Sequence, residues 1–444
     1  MKSHSILILA AVLLAGGTAR AQESPWSLAD CIRHALDHNL TVQQSALSVE
    51  QREVELNSAQ ARRLPSLSAS ASENLSFGRG LTADNTYSNS NTTSTSFSLG
   101  GEIPVFQGFD ITNGIKLSRL NLAAATADLE KARDDIRVAV AQAYVQILYN
   151  QELLRVAREQ AAHDAELLEQ IRERLSAGKV SAAEVSAQQA TLAQSRLTAT
   201  QADNSRRLSL LTLTQLLELP SPDGFAIARP AVAAKAGSAE AAMPSPDAIF
   251  AEALAVKPEI LAEQLRLDAT KHSINLAKVG HYPTLSFSGG LGSNYYKTSG
   301  FHADNFGKQL SNNFSQYLGL SLNVPIFNRL QTRNAIRSAR VERDNQQLML
   351  DQTKKNLYKE IQQAYYNTVA AQAKYESSLA ATKSADDAFT LMQAKYENGK
   401  ATITEFNEQK NLYLKAESDL TQARYEYLYQ IALLKFYRGQ QLDL

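Results

Sequence analysis

The sequence is short of cysteine, which excludes a fold held together by internal disulfides. Cys31 is the one cysteine among 444 residues, so it has no partner within the chain. We expect it to be a buried or partly buried thiol on a helix. A basic excess is also missing, because 45 Lys and Arg balance 45 Asp and Glu. The charge therefore gives no indication of a nucleic-acid partner.

Long apolar runs are missing after the first residues. Lys2, the apolar run from Ile6 to Ala15 and the small-residue site Ala19-Arg20-Ala21 predict a signal peptide over 1–21, cleaved near Ala21. Beyond it, no run approaches the roughly 20 apolar residues of a membrane-spanning helix. If the mature chain crosses a membrane, it must do so as strands closed into a barrel.

Proline and glycine are missing from long stretches, and these stretches predict long helices. Residues 331–398 contain neither, and Ala, Gln, Lys, Glu and Leu dominate there, which predicts a helix about 100 Å long. A similar helix is predicted over 111–177, with shorter helices over 181–219 and 401–438. Apolar residues spaced by three and four from Leu357 to Leu379 indicate a coiled-coil seam.

Two pairs of short segments alternate between apolar and polar residues, which predicts strands. The strand pairs are expected over 66–104 and 284–325, with a polar loop over 78–93 and with Pro104 and Pro325 ending the second strand of each pair. The polar side carries Ser, Gly and Asn and suits a water-filled lumen. The apolar side is expected to face lipid through Leu67, Phe97, Leu99, Leu285, Phe287, Leu318, Leu320, Leu322 and Val324.

The order of elements occurs twice, which indicates a duplicated unit. Pro104 and Pro325, Tyr144 and Tyr365, and Gly178 and Gly399 are corresponding landmarks at one constant offset. The first repeat is predicted over 22–219 and the second over 247–438. A linker rich in Pro, Ala, Gly and Ser over 220–246 joins them, and 439–444 is a C-terminal tail.

Four strands are too few to close a membrane barrel, since the smallest have about eight. Three copies related by cyclic symmetry would supply twelve. The predicted fold is therefore a mixed α/β membrane protein. It combines a trimeric shared β-barrel, with four strands per protomer, and a long α-helical coiled-coil barrel that continues from it.

Two segments carry a resemblance to a known family. Residues Tyr396–Ile403, followed by Ala423–Leu428, resemble the TolC-like outer-membrane efflux protein family, and the resemblance covers nearly all of the mature chain. It implies a homotrimer with its barrel in the outer membrane of a Gram-negative cell and its helices in the periplasm. It also implies docking to a periplasmic adaptor and an inner-membrane transporter, as the exit duct of a tripartite efflux or type I secretion system.

The resemblance also implies functional residues at the ends of the helices. Glu405 and Glu408 match the acidic ring that constricts the periplasmic entrance, and their spacing of three places them on one helix face. Ala401 stands where the family often carries a basic residue, so this chain departs from the family's salt-bridge pattern at that position. The candidates for adaptor contact are Leu175, Gly178, Lys179, Tyr396, Gly399 and Lys400. A solvated glutamate pair and ordinary helix caps are the simpler interpretations.

Nothing in the sequence indicates an enzyme. There is no nucleophile motif, no phosphate-binding glycine loop and no metal-ligand spacing, so no cofactor or metal is expected. His34 and His38 are four apart on a helix but lack a third ligand. The alternative function is a soluble periplasmic coiled-coil adaptor or scaffold, which would not need the duplicated strand pairs. The cargo, whether drug, metal ion or polypeptide, stays open.

Overall fold

The computed structural model describes residues 25–81, 84–229 and 243–443. The predicted signal peptide and residues 230–242 of the predicted linker lie outside them. The chain folds into two compact units. We call residues 25–44, 131–257 and 356–443 the helical unit, and residues 45–130 and 258–355 the sheet unit.

Nine α-helices lie in the described residues, and local signals explain several of their ends. Ser27, Ser181 and Thr402 each precede a helix and accept a hydrogen bond from a backbone N–H of its first turn. Pro258 separates α5 from α6, because proline lacks the donor that an uninterrupted helix requires there. The bounds are α1 Leu28–His38, α2 Leu40–Ala61, α3 Asp110–Ser176, α4 Ala182–Leu216, α5 Pro246–Val256, α6 Pro258–Ala277, α7 Phe306–Asn312, α8 Gln331–Glu397 and α9 Ile403–Tyr437.

The strands form one antiparallel sheet in the sheet unit, in the order β1-β2-β3-β4. Their bounds are β1 Ser66–Leu81, β2 Tyr87–Gln107, β3 Thr284–Thr298 and β4 Ser315–Asn323. The predicted polar loop over 78–93 is wrong, because β1 and β2 remain paired up to Leu81 opposite Tyr87. The ladder is made of backbone hydrogen bonds, so it continues where the apolar alternation has ended. Helix α7, between β3 and β4, was not predicted.

Two predicted strand ends are also wrong. Strand β2 continues through Pro104 to Gln107, with a bulge between Pro104 and Phe106. Strand β1 begins at Ser66, opposite Glu102. Pro104 lies beyond this end of β1, so β1 has no residue there that would need an N–H from position 104. Strand β4 ends at Asn323, which leaves Val324 outside the strand.

The core of the helical unit lies along α3 and α8. Val140, Ile147 and Ile361 are fully buried, and Cys31 is buried on α1, as predicted. The seam predicted on α8 is buried at Leu357, Ile361, Ala364, Thr368 and Ala371. It does not reach its predicted end, because Leu379 is exposed.

Candidate functional sites

The two helical hairpins of the helical unit end in the same way. Gly178 follows α3 and Gly399 follows α8, with φ of +70° and +68°. The next residue donates its N–H back over the last turn, from Lys179 to the Arg174 carbonyl and from Lys400 to the Lys395 carbonyl, each at 2.8 Å. A left-handed residue with this bond is a common helix C-cap, and glycine adopts it without strain. Apart from the chain neighbours, no atom of the described residues lies within 4 Å of a Cβ built on either glycine, so it is the backbone conformation that favours glycine here.

Glu405, a predicted gate residue, belongs to a helix cap. Its Oε2 accepts hydrogen bonds from the Thr402 N–H at 2.7 Å and from the Thr402 hydroxyl at 2.8 Å. In return, the Glu405 N–H donates to Thr402 Oγ1 at 3.3 Å. These hydrogen bonds to the carboxylate lower the pKa of Glu405. Ser181 and Glu184 form the same reciprocal cap at the first tip.

Glu408, the other predicted gate residue, differs from Glu405 because its side chain takes no part in a helix cap. It is exposed one turn further along α9. Within the described residues no ion pair or hydrogen bond engages its side chain. The spacing of three keeps Glu405 and Glu408 on one side of α9. Their role at a constriction stays a prediction.

The predicted adaptor-contact residues divide into two groups. Leu175, Gly178, Lys179, Gly399 and Lys400 are exposed at the two tips. Tyr396 is half-buried instead: its ring stacks on Phe406 at 4.9 Å between centroids, and the Arg174 guanidinium lies 5.2 Å from it. Arg174 Nη1 also donates to the Tyr396 hydroxyl at 3.2 Å. Tyr396 therefore joins the two hairpins.

A buried charge pair lies behind the second tip, and sequence reasoning missed it. Lys410 on α9 and Asp164 on α3 are 6% and 0% exposed, and Nζ lies 4.0 Å from Asp164 Oδ1. Burial lowers the pKa of Lys410 to about 8, although Asp164 and Glu166 act in the opposite direction. Lys410 follows Phe406 by four residues and so lies on the same side of α9, but the sequence does not show that this side is buried.

Amide side chains connect this pair to three helices. Gln160 Nε2 donates to both Asp164 carboxylate oxygens at 2.8 and 2.9 Å. Gln188 on α4 donates to the Asp164 carbonyl at 3.3 Å and accepts from Asn407 on α9 at 3.1 Å. Among the described residues, four nearby buried atoms have no hydrogen-bond partner: Lys410 Nζ, His163 Nε2, Gln160 Oε1 and Asn407 Oδ1. A buried polar group without a hydrogen bond costs stability.

The sheet unit contains the residues predicted to face lipid. Residues paired across strands share a face, and the register sets Leu99 opposite Leu291, Phe287 opposite Leu320 and Leu285 opposite Leu322. Leu67, Phe97 and Leu318 belong to the same face by the same register. Most of these side chains are exposed, and Leu285 is half-buried. Contact with lipid stays a prediction, and Val324 is no longer a strand position.

The opposite face of the sheet is polar, and its side chains contact one another across neighbouring strands. Ser70 and Ser98 share a hydrogen bond between their hydroxyls at 2.7 Å, and so do Ser72 and Ser96. The Tyr317 ring lies over Gly290, where a Cβ would come within 2.6 Å of it. The two faces thus differ in chemistry over the paired segments 66–72, 96–103, 285–291 and 318–322.

The described residues contain neither a candidate metal site nor a helix that could span a membrane. In the described part of the chain, His, Cys, Asp and Glu form no group of three or more that could hold a metal ion. The His34 and His38 rings stack on each other at 4.0 Å. Within 25–81, 84–229 and 243–443, every helix is too short or too polar to span a bilayer.

Comparison with known proteins identifies the family of this chain. A sequence profile described as "Outer membrane efflux protein" matches residues 31–218 and again 249–440. The chain belongs to the outer membrane efflux protein family. It is an outer-membrane exit channel for efflux or secretion. The family match therefore favours the channel over the adaptor alternative.

Relatives support the same assignment. Outer membrane protein TolC of Vibrio cholerae is 25% identical over 328 residues, 72% of each chain. Protein CyaE of Bordetella pertussis is 26% identical over 419 residues, 92% of this chain and 81% of its own. The fold of this channel resembles that of the outer membrane protein VceC of Vibrio cholerae, with a TM-score of 0.75 at 18% identity over 94% and 97% of the chains.

Proposed function

We propose that three copies of this chain form the exit duct of a tripartite efflux or type I secretion system, joined to a periplasmic adaptor and an inner-membrane transporter. The sheet with one apolar and one polar face carries the proposal. Within the described residues, β1 and β4 each pair on one side only. Backbone groups in hydrocarbon must all be paired, so the two edges are expected to pair with neighbouring copies. Twelve strands are within the size range of membrane barrels.

Exposed apolar residues on the helices support association of copies. Leu40, Leu47 and Val54 recur every seven residues along α2, and all three are exposed in the single chain. A repeat of seven is the spacing of a coiled-coil seam. A neighbouring copy would bury this stripe, as the helical barrel requires.

The entrance of the duct is proposed to lie at the second tip. Three copies would bring six carboxylates, from Glu405 and Glu408, around a narrow aqueous neck. Such a ring attracts cations, repels anions and titrates as a coupled set. Opening would move the hairpin from Tyr396 to Glu408 outward when the adaptor engages. Leu175, Lys179 and Lys400 are exposed at the tips, where the adaptor would bind.

The first experiment measures location and assembly. Cells expressing the chain are fractionated, and the detergent-extracted protein is weighed by native mass spectrometry and run on gels with and without heating. We expect it in the outer membrane, at three times the subunit mass, as a heat-sensitive species. A monomer in the soluble periplasm is what the adaptor alternative predicts, and it would contradict the proposal. Toxicity profiling of a deletion strain would then identify the cargo class.

A further inference from the structure

Four arginines at the start of α8, in the sheet unit, form one basic surface. Arg333, Arg337 and Arg340 are spaced by four and three and so share a helix side, and Arg329 lies just before the helix. All four are exposed, and we call them the arginine face. Among the described residues, none of the four has an ion pair or a side-chain hydrogen bond. Arg343, one turn further on, is paired with Asp344 at 2.6 Å.

The placement of these arginines is electrostatically unfavourable for the chain alone. Like charges four residues apart repel each other on a helix. Positive charges near a helix N-terminus are also opposed by the helix dipole. The first turn of α8 contains no acidic residue, whereas α3 begins with Asp110. An external anion would remove both penalties.

Arg329 adds a conformational penalty. It has φ of +54°, in the left-handed region that disfavours residues with a Cβ. The corresponding turn of the first repeat, before α3, uses Gly108 with φ of +60°. The next residue is left-handed in both repeats, Leu330 at +61° and Phe109 at +66°, so the two turns differ in having arginine in place of glycine.

The position of the arginine face along the chain indicates which anion it meets. The apolar side chains of β4 come first, and Ile326 and Phe327 follow, 97% and 77% exposed. The arginines come next, and Arg333 to Arg340 cover about 10 Å of helix. A headgroup layer is about 5–8 Å thick, and long basic side chains reach toward it. Arg63 after α2 and Lys116 and Arg119 on α3 are likewise exposed, and none of them forms an ion pair with another described residue.

We propose that the arginine face binds the phosphate groups of anionic phospholipids in the membrane leaflet next to the start of α8. This inference rests on the proposed membrane position of the sheet. Guanidinium groups suit this ligand, because their planar donors bind phosphate in pairs. Bound lipid would fix the depth at which the sheet lies in the bilayer.

The test compares lipid retention between variants. The trimer is extracted from vesicles of equal phosphatidylglycerol and phosphatidylcholine, and native mass spectrometry counts the lipids that stay bound. The wild-type protein should retain phosphatidylglycerol preferentially. The variant Arg333→Gln/Arg337→Gln/Arg340→Gln should lose this preference by about fivefold per arginine replaced. Arg343→Gln is the matched control and should keep it.

A second variant separates lipid binding from folding. Arg329→Gly should raise the melting temperature, because it relieves the left-handed strain. The same variant should retain less phosphatidylglycerol. A purely structural role for Arg329 predicts no loss of lipid.

Three results would overturn the inference. If wild type and the triple variant both form normal trimers and retain phosphatidylglycerol equally, this inference is overturned and the proposed function is not. A changed reversal potential with unchanged retention would show instead that the arginines line the pore. Failure of the wild-type chain to form a membrane-embedded trimer would overturn the proposed function together with this inference.

Discussion

Lys410 and Asp164 form a charge pair inside the helical unit, with 4.0 Å between Nζ and Oδ1. Both side chains are more than nine-tenths buried. Lys410 lies on α9 two residues after Glu408, so the proposed gate and the buried pair share one helix. Movement of the start of α9 would therefore change the surroundings of a buried charge.

Breaking this pair should destabilise the protein strongly. Asp164→Asn leaves the Lys410 ammonium buried without its anion, and such a change costs about 3–5 kcal/mol. The double variant Lys410→Met/Asp164→Asn removes both charges and should recover at least half of the lost stability. Thermal unfolding of the purified trimers measures both. Equal melting temperatures for the single and double variants would contradict a charge pair.

Stability should depend on pH through Lys410. Burial lowers its folded-state pKa to about 8, while an unfolded lysine titrates near 10.4. Between these values the unfolded chain binds one more proton, so the free energy of unfolding rises with pH, by at most about 3 kcal/mol. Below pH 8 Lys410 is charged in both states, so the full cost of burying its charge lowers the free energy of unfolding. Tyrosines titrate in the same window, so the measurement is the difference between wild type and Lys410→Met. A flat difference would contradict the prediction.

Glu405 and Glu408 should control conduction. Replacing both with Ala shortens the side chains at the proposed constriction, so single-channel conductance in planar bilayers should rise. Cation preference should fall, because six carboxylates are lost. Glu184→Ala is the matched control: it removes the same type of helix cap, worth about 0.5–2 kcal/mol, at the first tip. It should leave conductance unchanged. Unaltered conductance in the double variant would remove both residues from the gate.

Tyr396 should hold the two hairpins together through its ring. Tyr396→Ala loses the stacking on Phe406 and the contact with Arg174, together worth about 1–3 kcal/mol. Backbone amides from 396 to 408 should then exchange hydrogen faster. Tyr396→Phe keeps the ring and serves as the control. If the two variants exchange alike, the ring is not the connection.

The two faces of the sheet should respond differently to charge. Leu320→Arg places a cation on the apolar face and should cost about 2–4 kcal/mol in the bilayer, which lowers the yield of heat-sensitive trimers. Ser321→Arg, on the adjacent position of the polar face, should leave the yield unchanged and alter conductance. Similar losses for both variants would contradict the assignment of faces.

Local patterns allowed much of this structure to be predicted. The alternation at Leu67 and Ala69 located the start of β1, and Pro258 separated two helices. The cap formed by Thr402 and Glu405 could also have been identified, since its spacing is local. The end of β1 could not be predicted, because backbone pairing with β2 continues where side-chain alternation stops. Pro104 inside β2 was missed, because the reach of its neighbour β1 is not visible in β2 itself.

By itself, the sequence determined where the long helices lie, where β1 begins and where the two tips turn. Periodicity, caps and glycine conformations are properties of neighbouring residues, so they can be read without the fold. Only the tertiary structure decided that Lys410 is buried beside Asp164 and that Tyr396 packs between the hairpins. Burial and pairing depend on which distant elements meet, and no local pattern contains that information.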